Sequence, residues 1–219
     1  MNLPPNMRLG YRFAWLLGRV ACSTYFRWRV VQPERVPATG GVVLATNHAS
    51  YFDPVFVGSA LPRPLYYLSR YTAFEFPLGN TLRRLLNIVP VDLQSGTGRG
   101  LRTILNHLDA GAAVLVFPEG TRTYDGQLQS PKSGIGLMII KSKVPVVPAC
   151  IVGNYDAYGR HRRFPLPRRV VVKFGPPMNF NDERARAQSA PKEELREIYQ
   201  SVATQMMEAI ARLQSEPNS

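Results

Sequence analysis

His48 and Asp53 have the residue types and the spacing to move a proton. They lie in Asn47-His48-Ala49-Ser50-Tyr51-Phe52-Asp53, directly after the apolar run Gly41-Val42-Val43-Leu44-Ala45. A neutral imidazole takes a proton near neutral pH and returns it as an acid. A carboxylate partner fixes its tautomer and stabilises the imidazolium that forms. Side chains five residues apart do not meet within a regular helix, so a turn must separate the pair. Asp53 also precedes Pro54, which suits an N-cap followed by proline at the first helical position. One carboxylate has lone pairs enough for both tasks. A second polar cluster, Phe117-Pro118-Glu119-Gly120-Thr121-Arg122-Thr123, follows the apolar run Ala113-Val114-Leu115-Val116. Polar clusters at the ends of buried strands can converge on one crevice, which is where open α/β sheets bind ligands.

His48-x4-Asp53, preceded by Asn47, resembles the first signature of the glycerolipid acyltransferases, above all the 1-acylglycerol-3-phosphate acyltransferases. Phe117 to Arg122 resembles their third signature, with Thr123 where serine is usual. Val144-Pro145-Val146-Val147-Pro148 resembles the fourth. The similarity runs from about Val36 to Gly175. The second signature departs: Ile88-Val89-Pro90-Val91-Asp92-Leu93 has Leu93 in place of an arginine thought to help hold the acceptor phosphate.

The resemblance implies a reaction. His48, oriented by Asp53, deprotonates the 2-hydroxyl of 1-acylglycerol 3-phosphate. The oxygen attacks the thioester of acyl-CoA or an acyl carrier protein, and phosphatidic acid results. Asn47, Glu119, Gly120, Thr121, Arg122 and Lys132 are the implied substrate-binding residues. The guanidinium of Arg122 offers a planar fork for phosphate, or else pairs with Glu119 to shape the turn. Glu119 bonds a headgroup hydroxyl or steadies the loop. Lys132, by position, could supply some of the phosphate binding that Leu93 cannot. No cofactor and no metal are implied, and His107 with Asp109 has no partner at ligand spacing. A thioester is already activated, so no acyl-enzyme is required, and no GxSxG elbow is present. Leu93 leaves open another lyso-lipid acceptor, such as a lyso-ornithine lipid. A catalytically silent membrane-binding protein is the rival of a different class, and the intact signatures weigh against it.

The elements that must hold these residues alternate along the chain. Strands are predicted at Val42–Thr46, Leu65–Ser69, Ile88–Asp92, Ala113–Phe117, Val146–Val152 and Val170–Phe174. Helical patterns fall near Val55–Ala60, Leu78–Leu86, Gly100–Asp109 and Ser133–Lys143. Pro191 to Gln214 reads as a terminal helix with Leu195, Ile198, Val202, Met206, Ile210 and Leu213 on a core stripe. The expectation is an α/β fold: a largely parallel or mixed sheet flanked by helices.

Residues 1–32 are expected to form an amphipathic, membrane-associating helical segment, and residues 33–219 the catalytic domain. From Gly10 to Trp28, the residues Phe13, Leu17, Val20, Ala21, Thr24 and Trp28 share a helical face. Arg8, Arg12 and Arg19 oppose it, with Trp15 and Phe26 intruding on the basic side. Such a helix suits the plane of a membrane interface. The alternative is a helix packed on its own domain with its arginines in water. Arg12 and Arg19 interrupt any run approaching the roughly 20 apolar residues a bilayer span needs. They also spoil a secretory leader, so a peripheral or monotopic place on the cytoplasmic face of the inner or plasma membrane is expected.

At 219 residues, 45% of them apolar, the chain can bury one core. Net charge is +12, which favours an anionic partner: a membrane surface, a phosphorylated substrate or nucleic acid. Arginine supplies 22 of the 27 basic residues, a usage that compositional bias also produces. No nucleic-acid-binding motif is present, so lipid is the favoured partner. Arg160 to Arg169 is a basic loop with an apolar tip. It suits lipid headgroups, coenzyme A phosphates or an acidic carrier, or it is a solvated connection. Cys22 and Cys150 show neither metal nor disulfide spacing.

Overall fold

A computed structural model describes residues 7–69, 77–91 and 98–217. Seven strands form one mixed sheet in the order β1-β7-β6-β2-β5-β3-β4. They are β1 (Arg29–Val31), β2 (Val42–Thr46), β3 (Leu65–Ser69), β4 (Ile88–Pro90), β5 (Ala113–Val116), β6 (Val146–Val152) and β7 (Val171–Phe174). The five strands from β6 to β4 are parallel; β7 runs antiparallel to β6, and β1 parallel to β7. The helices are α1 (Leu9–Thr24), α2 (Asp53–Ala60), α3 (Gly79–Leu85), α4 (Arg99–Asp109), α5 (Ser133–Lys141), α6 (Asn154–Tyr158), α7 (Asn181–Ser189) and α8 (Lys192–Ser215).

Alternation along the central strands builds two cores, one on each face of the sheet. Val43 and Ala45 of β2 join Val114 and Val116 of β5 on one face, under Ile139, Ile198, Val202, Met206 and Ile210. Val42 and Leu44 join Ala113 and Leu115 on the other, under Phe26, Phe56 and Val57. A strand buried on both faces reads as a continuous apolar run, which is why these were legible. The α8 stripe is core, as its spacing required, with Leu195 half-buried at its start. α5 meets α8 very closely: a Cβ on Gly136 would lie 1.8 Å from the carbonyl oxygen of Tyr199.

Three features differ from the sequence reading. β1, α6 and α7 were not anticipated: the first is only three residues long and the second five, and α7 carries no apolar stripe. Next, α1 stops at Thr24 and the chain turns at Arg27, whose φ is +44°, so Trp28 lies off the helix. Lastly, α1 docks on the domain with the opposite face from the one with the cleanest apolar pattern. Tyr11, Trp15 and Cys22 are buried against α2 and its surroundings. Trp15 donates its indole N–H to the Leu61 carbonyl at 2.9 Å, and the Leu65 amide donates to the Tyr11 hydroxyl at 3.0 Å. Aromatic rings with a polar atom can bury and still be satisfied, which selected this face. Phe13 and Leu17 are left 71% and 61% exposed.

β2 sits at the centre, with β5 on one side and β6 on the other. This is the switch point of the sheet, and the loops leaving the carboxyl ends of all three strands meet outside it.

Candidate active site

The β2 loop carries His48 and returns into α2 at Asp53. Asp53 was expected to cap that helix. Instead Phe52 precedes the helix, no side chain caps it, and Asp53 is its first residue. Its carboxylate turns back into the loop. Oδ2 accepts from His48 Nδ1 at 2.8 Å, the Ala49 amide at 2.7 Å and the Ser50 amide at 2.8 Å. Oδ1 accepts from Asn154 Nδ2 at 2.7 Å. Asp53 is 0% exposed, so burial is compensated by four donors. A carboxylate oxygen only accepts here, so Nδ1 carries the proton and Nε2 keeps its lone pair. The imidazole stacks on Phe117, centroids 3.8 Å apart and planes 14° from parallel, and its side chain keeps 19% exposure.

The β5 loop clamps the His48 backbone from both sides. The His48 amide donates to Glu119 Oε1 at 2.8 Å, and the Thr123 amide donates to the His48 carbonyl at 2.8 Å. Glu119 Oε2 accepts the Gln129 amide at 3.1 Å. Glu119 is only 1% exposed, and burial pushes its carboxyl up to about 7 against the pull of those two amides. Of the two roles open to Glu119, this geometry serves the steadying one. Gly120 takes φ +72°, which glycine adopts without strain, and this turn presents Thr121 and Arg122. Arg122 makes no ion pair with Glu119 among the described residues; its guanidinium lies over the Tyr51 ring, 3.5 Å from the centroid. Lys132 is exposed beside Gly120, and its amide donates to the Pro118 carbonyl at 2.9 Å.

Asn47 points inward. Its amide donates to the Ile151 carbonyl at 3.0 Å and accepts the Ile151 amide at 2.8 Å, tying β2 to β6. It was expected to contact substrate; its side chain is buried and committed to backbone, so it positions His48 from behind. Leu93 lies outside the described residues.

Asn154 and Phe117's stacking role were missed. Asn154 follows Gly153 at the carboxyl end of β6, the same kind of position that marked His48 and Glu119. That was the available signal. Among the described residues, no cluster of three or more His, Cys, Asp or Glu could hold a metal ion.

The site thus holds a buried carboxylate, an oriented imidazole with one free nitrogen, and an adjacent guanidinium. It can take a proton from a hydroxyl next to an anionic group. Comparison with known proteins points the same way. The chain is 28% identical over 183 residues to a 1-acyl-sn-glycerol-3-phosphate acyltransferase of Limnanthes douglasii, covering 81% of this chain and 64% of that protein. It is 27% identical over 144 residues to the enzyme so named in Bacillus subtilis (strain 168), covering 65% and 71%. Its fold matches the crystal structure of the 1-acyl-sn-glycerophosphate (LPA) acyltransferase PlsC of Thermotoga maritima, with TM-score 0.72 and 25% identity over 94% of this chain and 80% of that one. The chain therefore spans less than two thirds of the length of the Limnanthes relative. The Acyltransferase family model matches residues 27–152, more than half of the chain, which belongs to that family.

Proposed function

We propose that this protein moves a fatty acyl group from acyl-CoA or an acyl carrier protein to the 2-hydroxyl of 1-acylglycerol 3-phosphate, giving phosphatidic acid. The observation that carries this reading is the 2.8 Å bond between His48 Nδ1 and buried Asp53, which leaves Nε2 free. Nε2 accepts the hydroxyl proton as the oxygen attacks the thioester carbonyl. The tetrahedral intermediate expels the thiolate, which takes the proton back from His48. Asp53 stays ionised and holds the imidazolium. The Ala49 and Ser50 amides are already committed to Asp53. Oxyanion donors therefore come from elsewhere than these two amides. Arg122 meets the acceptor phosphate, with Lys132 beside it.

The acceptor is taken from the cytoplasmic face of the inner or plasma membrane. Among the described residues, no helix is long and apolar enough to cross a membrane. Supporting an interfacial role, Leu9, Phe13, Leu17 and Val20 of α1 are exposed. A basic cleft of about 590 Å³, lined by Arg27, Trp28, Arg29 and Arg169, lies just beyond that helix. The membrane-facing element in this reading is α1, which packs on α2 through Tyr11 and Trp15.

The test is product analysis. Purified protein is given mixed acyl-CoA donors and mixed lyso-lipid acceptors, and free thiol is measured beside the lipid products by mass spectrometry. Phosphatidic acid formed in step with thiol supports the reading. Acylation of a different lyso-lipid, as Leu93 motivates, reassigns the acceptor. No acceptor-dependent thiol release overturns it.

A further inference from the structure

The segment after β6 reaches back to the site. The Tyr158 carbonyl, at the end of α6, accepts the Tyr51 amide at 3.2 Å and the Ser50 hydroxyl at 3.1 Å. The rings of Tyr51 and Tyr158 lie 5.0 Å apart. Two residues later, Arg160 Nη2 donates to Thr121 Oγ1 at 2.6 Å, and its guanidinium lies 4.2 Å from the centre of the Tyr124 ring. Thr121 is followed by Arg122, which covers Tyr51. Side-chain contacts and short steps along the chain therefore link Tyr51, Tyr158, Arg160, Thr121 and Arg122 into one circuit. That circuit starts three residues after His48.

Two guanidinium groups share this circuit, and neither forms an ion pair with a carboxylate among the described residues. Each has a nitrogen shut off from solvent and without a hydrogen-bond partner: Nη1 of Arg122 and Nε of Arg160. Buried donors are normally satisfied, and leaving one unmade costs free energy. A guanidinium over a tyrosine ring is attracted by the ring face and keeps its N–H donors for a ligand. Two neighbouring cations with spare donors suit an anion carrying several acceptor oxygens.

We propose that Arg160 binds the phosphate of the acceptor together with Arg122. This rests on the acyl-transfer reading above. In 1-acylglycerol 3-phosphate, the phosphate is attached to the carbon next to the one bearing the reacting hydroxyl. A hydroxyl held at His48 Nε2 therefore carries its phosphate into the immediate surroundings of the His48 loop, where the circuit lies. The phosphates of coenzyme A are separated from the thioester by the length of the pantetheine arm.

The test compares wild type, Arg160→Gln and Arg160→Lys in steady-state assays that vary lysophosphatidate and acyl-CoA separately, with inorganic phosphate as competitor. Arg160→Gln should raise the KM for lysophosphatidate about ten-fold or more, the scale expected when a charge-assisted hydrogen bond is removed. The KM for acyl-CoA should stay unchanged, and inhibition by phosphate should weaken. Arg160→Lys should recover part of the loss, since it keeps the charge and forfeits the flat stack. An unchanged lysophosphatidate KM in an active Arg160→Gln overturns the proposal. So does a rise confined to the acyl-CoA KM, which would assign Arg160 to the coenzyme, or a fall in kcat with both KM values intact. If wild type itself releases no thiol with any lyso-lipid, the acyl-transfer reading fails first and this proposal falls with it.

Discussion

Asn154 donates its side-chain amide to the Asp53 oxygen that His48 does not use, at 2.7 Å and across 101 residues of chain. It joins the carboxyl end of β6 to the pair at the end of β2. The Asp53 carboxylate is therefore held from both sides, by its own loop and by the segment that follows the neighbouring strand.

Asn154→Leu should cost both activity and stability. The substitution leaves Asp53 Oδ1 buried without its donor, a penalty of about 1–3 kcal/mol. Urea unfolding should shift to lower denaturant by a corresponding amount. The kcat should fall, with the KM values for both substrates little changed, because Asn154 touches the carboxylate and not the substrate. A folded variant with native kcat would show that the loop alone orients Asp53.

Glu119 gives a pH dependence with a defined sign. Its carboxyl titrates at about 7 in the folded chain, raised from an ordinary 4.5 by burial. The folded state thus holds this proton more tightly than the unfolded state does. The stability this provides is complete below the unfolded value and is lost as pH rises through about 7. Glu119→Gln removes the titration. The variant should be less stable, since one amide oxygen replaces two acceptors, and its loss of stability between about pH 5 and 8 should be shallower than in wild type. Urea midpoints across that range decide it, and parallel curves would contradict the assignment.

If α1 is the membrane-binding element proposed above, its exposed face lets binding be tested apart from folding. Phe13 and Leu17 are turned to solvent, whereas Tyr11 and Trp15 hold the helix to the domain. Replacing Phe13 and Leu17 by serine should leave the melting temperature nearly unchanged and weaken flotation with neutral and anionic vesicles alike. Replacing Arg8 and Arg12 should act only on anionic vesicles and disappear at high salt. Undiminished flotation of the serine variant would contradict a membrane-binding role for this face.

The legible parts were those whose signal is local. β2 and β5 read as strands because both faces are buried, and the polar residues just beyond them marked the site. What stayed hidden depends on partners distant in sequence. Nothing near Asn154 says that Asp53 lies opposite, and nothing near Glu119 says that its acceptors serve the His48 and Gln129 amides. Asn47 was legible as a site residue but not as one facing away from the crevice. In α1, periodicity exposed the two faces but not which would find the domain. Trp15 looked misplaced among arginines, yet its indole N–H has the Leu61 carbonyl, and Arg19 lies 5.4 Å above its ring.

The role of His48 as the base is open to one direct measurement. Single-turnover thiol release from acyl-CoA is followed in the presence of saturating lysophosphatidate, for wild type and His48→Ala over a range of pH. General-base catalysis contributes roughly 10²- to 10⁴-fold, so at least that loss is predicted in an otherwise folded variant, with no remaining ionisation attributable to an imidazole. Turnover near that of wild type in folded His48→Ala would contradict it.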